Sequence, residues 1–333
     1  LVSWARDVYK RQVQDRSRQL FKQIIMKIIN KEDKTRRRIA AVGMWDGVHV
    51  GHRFLIDYVK LEGSARGLTP AVVTFSRHPL VTVRPLDAPR LLTGIEDRVE
   101  LLGEAGVEDC IILSFNEKMR RMSAREFLSM LNRKFGVEAL VVGFNNRFGR
   151  DRAEGIEQYR AIGSDLKMAI IEAPEYSGAG SPVSSSIIRE YLRQGLVDKA
   201  STSLGRPYRL RGVVITGNRI GRTIGFPTAN LRISEPDALI PAAGVYAAKV
   251  ITPDGESRQA MVNIGYRPTV NETEAQREIS IEAHILDFKG YLYDEEITID
   301  FIARVRDEKK FASLDKLRSR LTADAREIRK ILG

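Results

Sequence analysis

The apolar pattern of the chain changes near residue 200, and that change limits the available folds more than any other feature. Before it, short apolar runs alternate with stretches of helical periodicity. Ile39–Gly43 reads as a buried strand, and His52–Ala65 follows with Phe54, Leu55, Tyr58 and Val59 at helical spacing. Ala71–Phe75, Cys110–Leu113, Ala139–Gly143 and Ala169–Glu172 read as further strands. Between them, Asp97–Ala105 is helical and stops at Gly106. Ser123-Ala124-Arg125-Glu126 is a capping box that opens a helix to Phe135, with Gly136 as its stop. Strands and helices in alternation, with short links, predict an α/β domain: a doubly wound, Rossmann-like parallel sheet with helices on both faces.

After residue 200 the strands lose their intervening helices. Leu210–Ile215, Val245–Thr252, Arg258–Ile264, Ile279–Leu286 and Glu296–Ile302 follow one another, with turn chemistry at Pro253-Asp254-Gly255. This spacing predicts an antiparallel barrel or sandwich. Leu314–Leu332 is helical, and Ile187–Ser203 reads as a helical bridge between the halves. The expected division is a non-native leader over residues 1–25, a first domain over 26–198 and a second over 199–333.

Charge would suggest nucleic acid as a partner, because 54 Lys and Arg stand against 43 Asp and Glu, a net +11. The excess is local. Residues 1–38 hold 12 basic and 4 acidic side chains, which leaves +3 for everything after them. A basic leader can touch RNA or membrane, but Met26-Lys27-Ile28-Ile29 reads like a natural start, which is why residues 1–25 are expected to be foreign. No nucleic-acid or membrane partner is expected. No apolar run approaches the ~18 residues of a membrane span. The single cysteine, Cys110, excludes a disulfide framework and a cysteine-based zinc site, and a reducing, cytoplasmic setting follows. The oligomeric state is left open.

The strongest local signal is Gly43-Met44-Trp45-Asp46-Gly47-Val48-His49-Val50-Gly51-His52, between the first strand and the first helix. Ligands of such sheets bind at the carboxyl ends of strands, and a helix N-terminus there favours anions. Glycines admit close backbone approach, and two histidines three apart offer N–H donors to phosphate oxygens. A capped tight turn is the plainer alternative. A metal site from His49, His52 and His78 lacks a carboxylate or cysteine to complete it. In the second half, Thr216–Asn230 is glycine-rich without the Gly-Lys-Ser/Thr of a Walker loop.

The decapeptide resembles the HxGH signature of nucleotidyltransferases, and its flanks resemble the FMN adenylyltransferase module of bacterial bifunctional riboflavin kinase/FAD synthetases. Thr74–Pro79, Val142–Gly149 and Ser184–Arg189 match that family in order, with Trp45 where it usually has Phe, Ser186 where it has Thr, and Asn146 where an aromatic residue or His is commoner. Gly-Phe-Pro-Thr-Ala-Asn (225–230) resembles the riboflavin kinase signature, and 241–246, 263–269 and 282–288 follow in order.

The resemblance implies two reactions that use ATP with Mg²⁺. In the first half, FMN phosphate would attack the α-phosphorus of ATP, giving FAD and pyrophosphate. His49 and His52 would stabilise developing charge, and Arg189 with Ser185 and Ser186 would hold the β- and γ-phosphates. Asn145 would seat the nucleotide or Mg²⁺, with Gly43, Asp46, Gly47, Gly51 and His78 as further binding positions. In the second half, Glu282 would act as general base on the riboflavin 5′-hydroxyl. Thr228 and Asn230 would ligate Mg²⁺, and Gly217, Gly221 and Gly225 would let a flap approach the phosphates. Alternation places His284 on the face of Glu282. Arg304–Glu308 reads mainly as a solvated turn after the last strand, with flavin-side contacts as the alternative. One alternative is a riboflavin kinase whose first half is only a nucleotide-binding module. Another is a flavin- or ATP-binding regulator whose leader touches RNA.

Overall fold

The computed structural model describes residues 26–143, 148–150, 155–178, 182–217, 220–266 and 279–333. Its first part is a sheet of β1 (Lys27–Ile29), β2 (Arg38–Val42), β3 (Thr69–Phe75), β4 (Asp109–Leu113), β5 (Val137–Val142) and β6 (Ala169–Glu172). The order is β1-β4-β3-β2-β5-β6, and every pairing is parallel. The long helices are α1 (Val50–Arg66), α2 (Ile95–Glu104), α3 (Ala124–Phe135) and α4 (Ile156–Leu166).

β2 shows why both faces are covered. Ala40 and Val42 enter a core with Phe127, Leu128 and Leu131 of α3, while Ile39 and Ala41 enter another with Ile56 and Val59 of α1 and Leu102 of α2. Alternate side chains of a strand point to opposite faces, so a strand buried on both reads as continuously apolar. The chain runs outward from β2 through β3 to β4, then returns to β5 on the other flank of β2. The carboxyl ends of β2 and β5 therefore flank the switch point, where such sheets bind ligands.

Local signals fix several boundaries. Ser123 and Glu126 form both bonds of the capping box, and Gly136 closes α3 in the left-handed conformation. The expected bridge is two helices, α5 (Ser185–Arg193) and α6 (Val197–Leu204), separated by a turn at Gln194–Leu196. The short β1 and the helix α4 were not expected. Part of the basic run is structural rather than solvated: Arg38 is fully buried and its Nε donates to Asp109 at 2.7 Å.

The second part is a closed barrel, not a sandwich. β7 (Tyr208–Ile215), β8 (Ala229–Ile233), β9 (Gly244–Ile251), β10 (Ser257–Tyr266), β11 (Ile279–Ile285) and β12 (Glu296–Arg306) close in the order β10-β11-β8-β7-β12-β9. All pairings are antiparallel. β7 alternates between buried and half-buried positions along its length. β8 begins at the end of the glycine-rich segment Thr216–Asn230, and its addition lets the sheet close. α7 (Leu314–Leu332) packs Ile328 against Val245, Ala247 and Met261 of β9 and β10.

The two parts share a core in which Leu92, Ile188, Leu192, Val197 and Leu204 join barrel residues such as Tyr208 and Tyr246. Leu91 forms a bridge to Ala238, with its N–H donating to Asp237 O and its carbonyl accepting from Leu239 N, both at 2.8 Å. Arg211 of β7 pairs with Asp97 and Glu100 on α2.

Candidate active sites

The turn after β2 holds backbone that folding alone would avoid. Trp45 (φ 54°), Gly47 (φ 83°) and Val48 (φ 37°) are all left-handed. For the two non-glycine residues this conformation is strained, at a cost of order 1–3 kcal/mol each. A Cβ on Gly47 would lie 2.9 Å from Leu92 Cδ1, so glycine is required there by space as well as by φ. Buried packing holds the strain: Trp45 is almost fully buried, and its indole N–H donates to Val73 O at 3.0 Å.

His49 caps α1, its Nδ1 accepting from His52 N, which places its own proton on Nε2. The two imidazoles stack with centroids 3.6 Å apart and planes at 16°. Burial pushes His49 down to about 4 and His52 well below its ordinary range, and the His49 neighbour lowers His52 further. Both are neutral near pH 7, so each is a hydrogen-bond donor through one N–H rather than a cation. His52 Nδ1 is buried without a partner among the described residues.

Asp46 organises this corner. Its buried carboxylate accepts from Leu92 N (3.0 Å), Thr93 N (2.9 Å), Thr93 Oγ1 (3.2 Å) and Arg189 Nη2 (2.6 Å). Arg189 Nε donates to Arg90 O at 2.8 Å, and Ser185 Oγ to Asp46 O at 2.9 Å. The structure thus brings His49, His52, Asp46, Ser185 and Arg189 together from the turn after β2 and the start of α5. The carboxylate is committed to protein donors. Ser184 is the N-cap of α5, and Ser186 is exposed in its first turn. A Cβ at Gly43 would meet the Trp45 ring at 3.3 Å, and one at Gly51 the His49 ring at 3.3 Å. His78 Nδ1 accepts from Leu80 N at 3.2 Å; burial lowers its pKa first, and the Arg189 charge lowers it further.

The second site is a cavity of about 320 Å³ at the barrel. Thr228, Asn230, Glu282 and His284 line it on the polar side, and Phe226, Val245, Met261, Leu317 and Leu321 on the apolar side. Register creates the polar group. Glu282 of β11 lies directly across from Asn230 of β8 and from Asn263 of β10. Thr228 Oγ1 donates to Glu282 Oε2 at 3.1 Å. His284 shares the face of Glu282, and its Nδ1 donates to Pro227 O at 2.7 Å. Gly217 is required by close approach, since a Cβ there would lie 2.2 Å from Asn230 Nδ2. A Cβ on Gly221 would lie 2.2 Å from Phe226 O, whereas Gly225 faces open space.

Thr93 and Arg98 at the first site escaped the motif reading, and so did Leu317 and Leu321 at the second. Arg304-Val305-Arg306 is not a turn but the end of β12, and Arg306 lines the cavity while binding the buried Asp324 at 2.9 Å. Only the apolar period of α7 could have signalled the two leucines. Asn145, Asn146, Asn218, Arg219, the 267–269 motif and residues 1–25 lie outside the described residues. Among the described residues no three His, Cys, Asp or Glu side chains gather into a metal site, and no helix is long and apolar enough to cross a membrane.

A switch-point site with paired histidines, joined to a barrel with a carboxylate in a half-apolar cavity, defines a two-domain transferase that handles nucleotides. Comparison with known proteins agrees half by half. The FAD synthetase family matches residues 31–187, and the riboflavin kinase family residues 204–332. Bifunctional riboflavin kinase/FMN adenylyltransferases are similar over nearly the whole length. The Listeria monocytogenes protein is 35% identical over 88% of this chain and 91% of its own. The Bacillus subtilis protein is 34% identical over 89% and 93%, and the Escherichia coli K12 protein 32% over 89% and 93%. A crystal structure described as a macrolide-efflux protein from Streptococcus pneumoniae superposes with a TM-score of 0.83 at 29% identity, covering 92% of this chain and 99% of that one. The chain belongs to the bifunctional riboflavin kinase/FMN adenylyltransferase family.

Proposed function

We propose that the barrel phosphorylates riboflavin to FMN with ATP, and that the parallel-sheet domain adenylates FMN with a second ATP, releasing FAD and pyrophosphate. The observation that carries this reading is that the two family matches, 31–187 and 204–332, fall one on each candidate site, the first taking in Asp46, His49, His52 and Ser185 and the second Thr228, Asn230 and Glu282. The domains would be 26–198 and 199–333, with α6 seated in the barrel core.

In the barrel, Glu282 is the general base for the riboflavin 5′-hydroxyl. Thr228 donates to one carboxylate oxygen and so fixes its orientation, and the other, which has no partner among the described residues, is placed to accept the substrate proton. The apolar wall of Phe226, Met261 and Leu321 suits the flat isoalloxazine ring. Thr228 and Asn230 present hard oxygens, and because the Thr228 hydroxyl spends its proton on Glu282, its lone pairs stay available. This donor set fits Mg²⁺ carried in by ATP, which neutralises phosphate charge when bound.

In the first domain, His49 and His52 serve adenylyl transfer as neutral donors to the phosphates. Arg189, held by Asp46 and Arg90 O, supplies the positive charge for the leaving pyrophosphate. Little covalent work falls to the protein; positioning and charge dominate. A reducing, cytoplasmic setting fits Cys110, whose thiol is buried and pushed up to about 12. A nearly balanced body fits small-molecule substrates better than nucleic acid.

The test is a time course of FMN and FAD from riboflavin with excess ATP and Mg²⁺. His49→Ala should stop at FMN. Glu282→Ala should make no FMN yet still adenylate supplied FMN. A chain that yields neither product refutes the proposal.

A further inference from the structure

Arg98 lies on the first turn of α2, outside every motif, and it is fully buried. One nitrogen does all of its bonding. Nη1 donates to Met44 O at 3.0 Å, Phe75 O at 3.0 Å and Thr74 Oγ1 at 3.1 Å. Thr74 Oγ1 in turn donates to Met44 O at 3.3 Å. Met44 opens the turn that carries His49 and His52, and Phe75 opens the segment that carries His78. A single atom therefore sets the spacing of the two loops that leave the carboxyl ends of β2 and β3.

The other two nitrogens, Nε and Nη2, are buried without a partner among the described residues. No carboxylate stands within ion-pair range of Arg98 among them. Asp46 and Glu235 act on it only through space. A buried cation without a counter-ion is costly, and a structural clamp for three neutral acceptors could have been built without a full charge. The charge sits at the end of the sheet where anionic ligands bind. In that low-dielectric setting it adds a fixed positive potential that water screens poorly.

We propose that Arg98 is a positioning residue for adenylyl transfer: it spaces the His49 and His78 loops, and its unpaired charge is balanced by the polyphosphate that binds between them. This rests on the adenylyltransferase reading of the first domain. Arg98 does not touch the reacting atoms.

The experiment compares wild type, Arg98→Lys and Arg98→Met for FAD formation from supplied FMN and for pyrophosphate binding by titration calorimetry. Riboflavin phosphorylation is the internal control. Lysine keeps the charge and has three N–H donors, but its ammonium ends one bond short of where Nη1 sits, so it cannot reach Met44 O, Phe75 O and Thr74 Oγ1 together. It should lower kcat for FAD formation on the order of tenfold, leaving the ATP KM and pyrophosphate affinity within about threefold of wild type. Methionine should lose a further tenfold or so in kcat and weaken pyrophosphate binding about tenfold. Kinase activity should be unchanged in both. Should the methionine variant not fold, the lysine variant decides alone through its split between kcat and KM. Wild-type kcat in Arg98→Lys overturns the spacing role, and wild-type pyrophosphate affinity in Arg98→Met overturns the charge role. Wild type that forms no FAD overturns the reading of the domain instead.

Discussion

Replacing Asp46 with Asn removes one oxygen and puts an amide in its place. In the fold one carboxylate oxygen faces Arg189 Nη2 at 2.6 Å and Leu92 N at 3.1 Å, and the other receives both Thr93 donors. An asparagine oxygen can keep the Thr93 side, but its NH₂ then meets two donors. Arg189, which is only 8% exposed, is left as a buried cation without its partner. Breaking one side of a buried ion pair costs about 3–5 kcal/mol. That is a large part of the ~5–15 kcal/mol that holds a domain folded. Urea unfolding followed through the emission of buried Trp45 should show this loss. FAD formation from FMN should fall on the order of 10²-fold as Arg189 drifts from its seat, while FMN formation from riboflavin persists. If Asp46 instead bound nucleotide directly, the variant would raise the ATP KM and leave stability within about 1 kcal/mol, an outcome that refutes the hub.

Other perturbations follow from the same geometry. Gly217→Ala places a Cβ 2.2 Å from Asn230 Nδ2, so riboflavin phosphorylation should fall on the order of 10²-fold while supplied FMN is still adenylated, measured by product analysis. Asp324→Ala strips the partner from Arg306 in the cavity wall, and should destabilise the barrel by about 3 kcal/mol and raise the riboflavin KM, checked by thermal unfolding and kinetics. His49 has a folded pKa near 4 against 6.5 unfolded, so the unfolded chain takes up its proton first as pH falls. Stability is therefore unaffected above about 6.5 and lost between 6.5 and 4, by about 3 kcal/mol for this group. Unfolding free energies at pH 7.5 and 5 should differ less in His49→Gln.

What the sequence discloses is what repeats or what chemistry demands. β2, β3 and β4 are apolar because both faces are buried, and α3 carries its own caps at Ser123 and Gly136, so each is legible locally. β1 is three residues long, too short for a period to show. β8 was hidden because it begins inside the glycine-rich run, where close approach to Asn230 sets the composition instead of strand propensity. The candidate sites follow the same rule. His49, Arg189, Thr228 and Glu282 stand in ordered motifs. Arg98 sits in an ordinary amphipathic helix, where an arginine reads as solvated, and only the tertiary fold turns it inward.

The joint between the halves is the part that no pattern announces. Leu91 is bound to Asp237 and Leu239 through backbone atoms, which any sequence offers alike, so nothing in the side chains marks the contact. Yet the next two residues, Leu92 and Thr93, give their N–H groups to Asp46, and the one before, Arg90, gives its carbonyl to Arg189. A strap of four residues thus belongs at once to the first candidate site and to the barrel surface. The Tyr208 hydroxyl braces the far side through Leu239 O. A carboxylate that must hold a buried arginine needs its other donors fixed in space. Here those donors are fixed by a segment that the barrel holds in place, so the barrel is part of the framework of the first site.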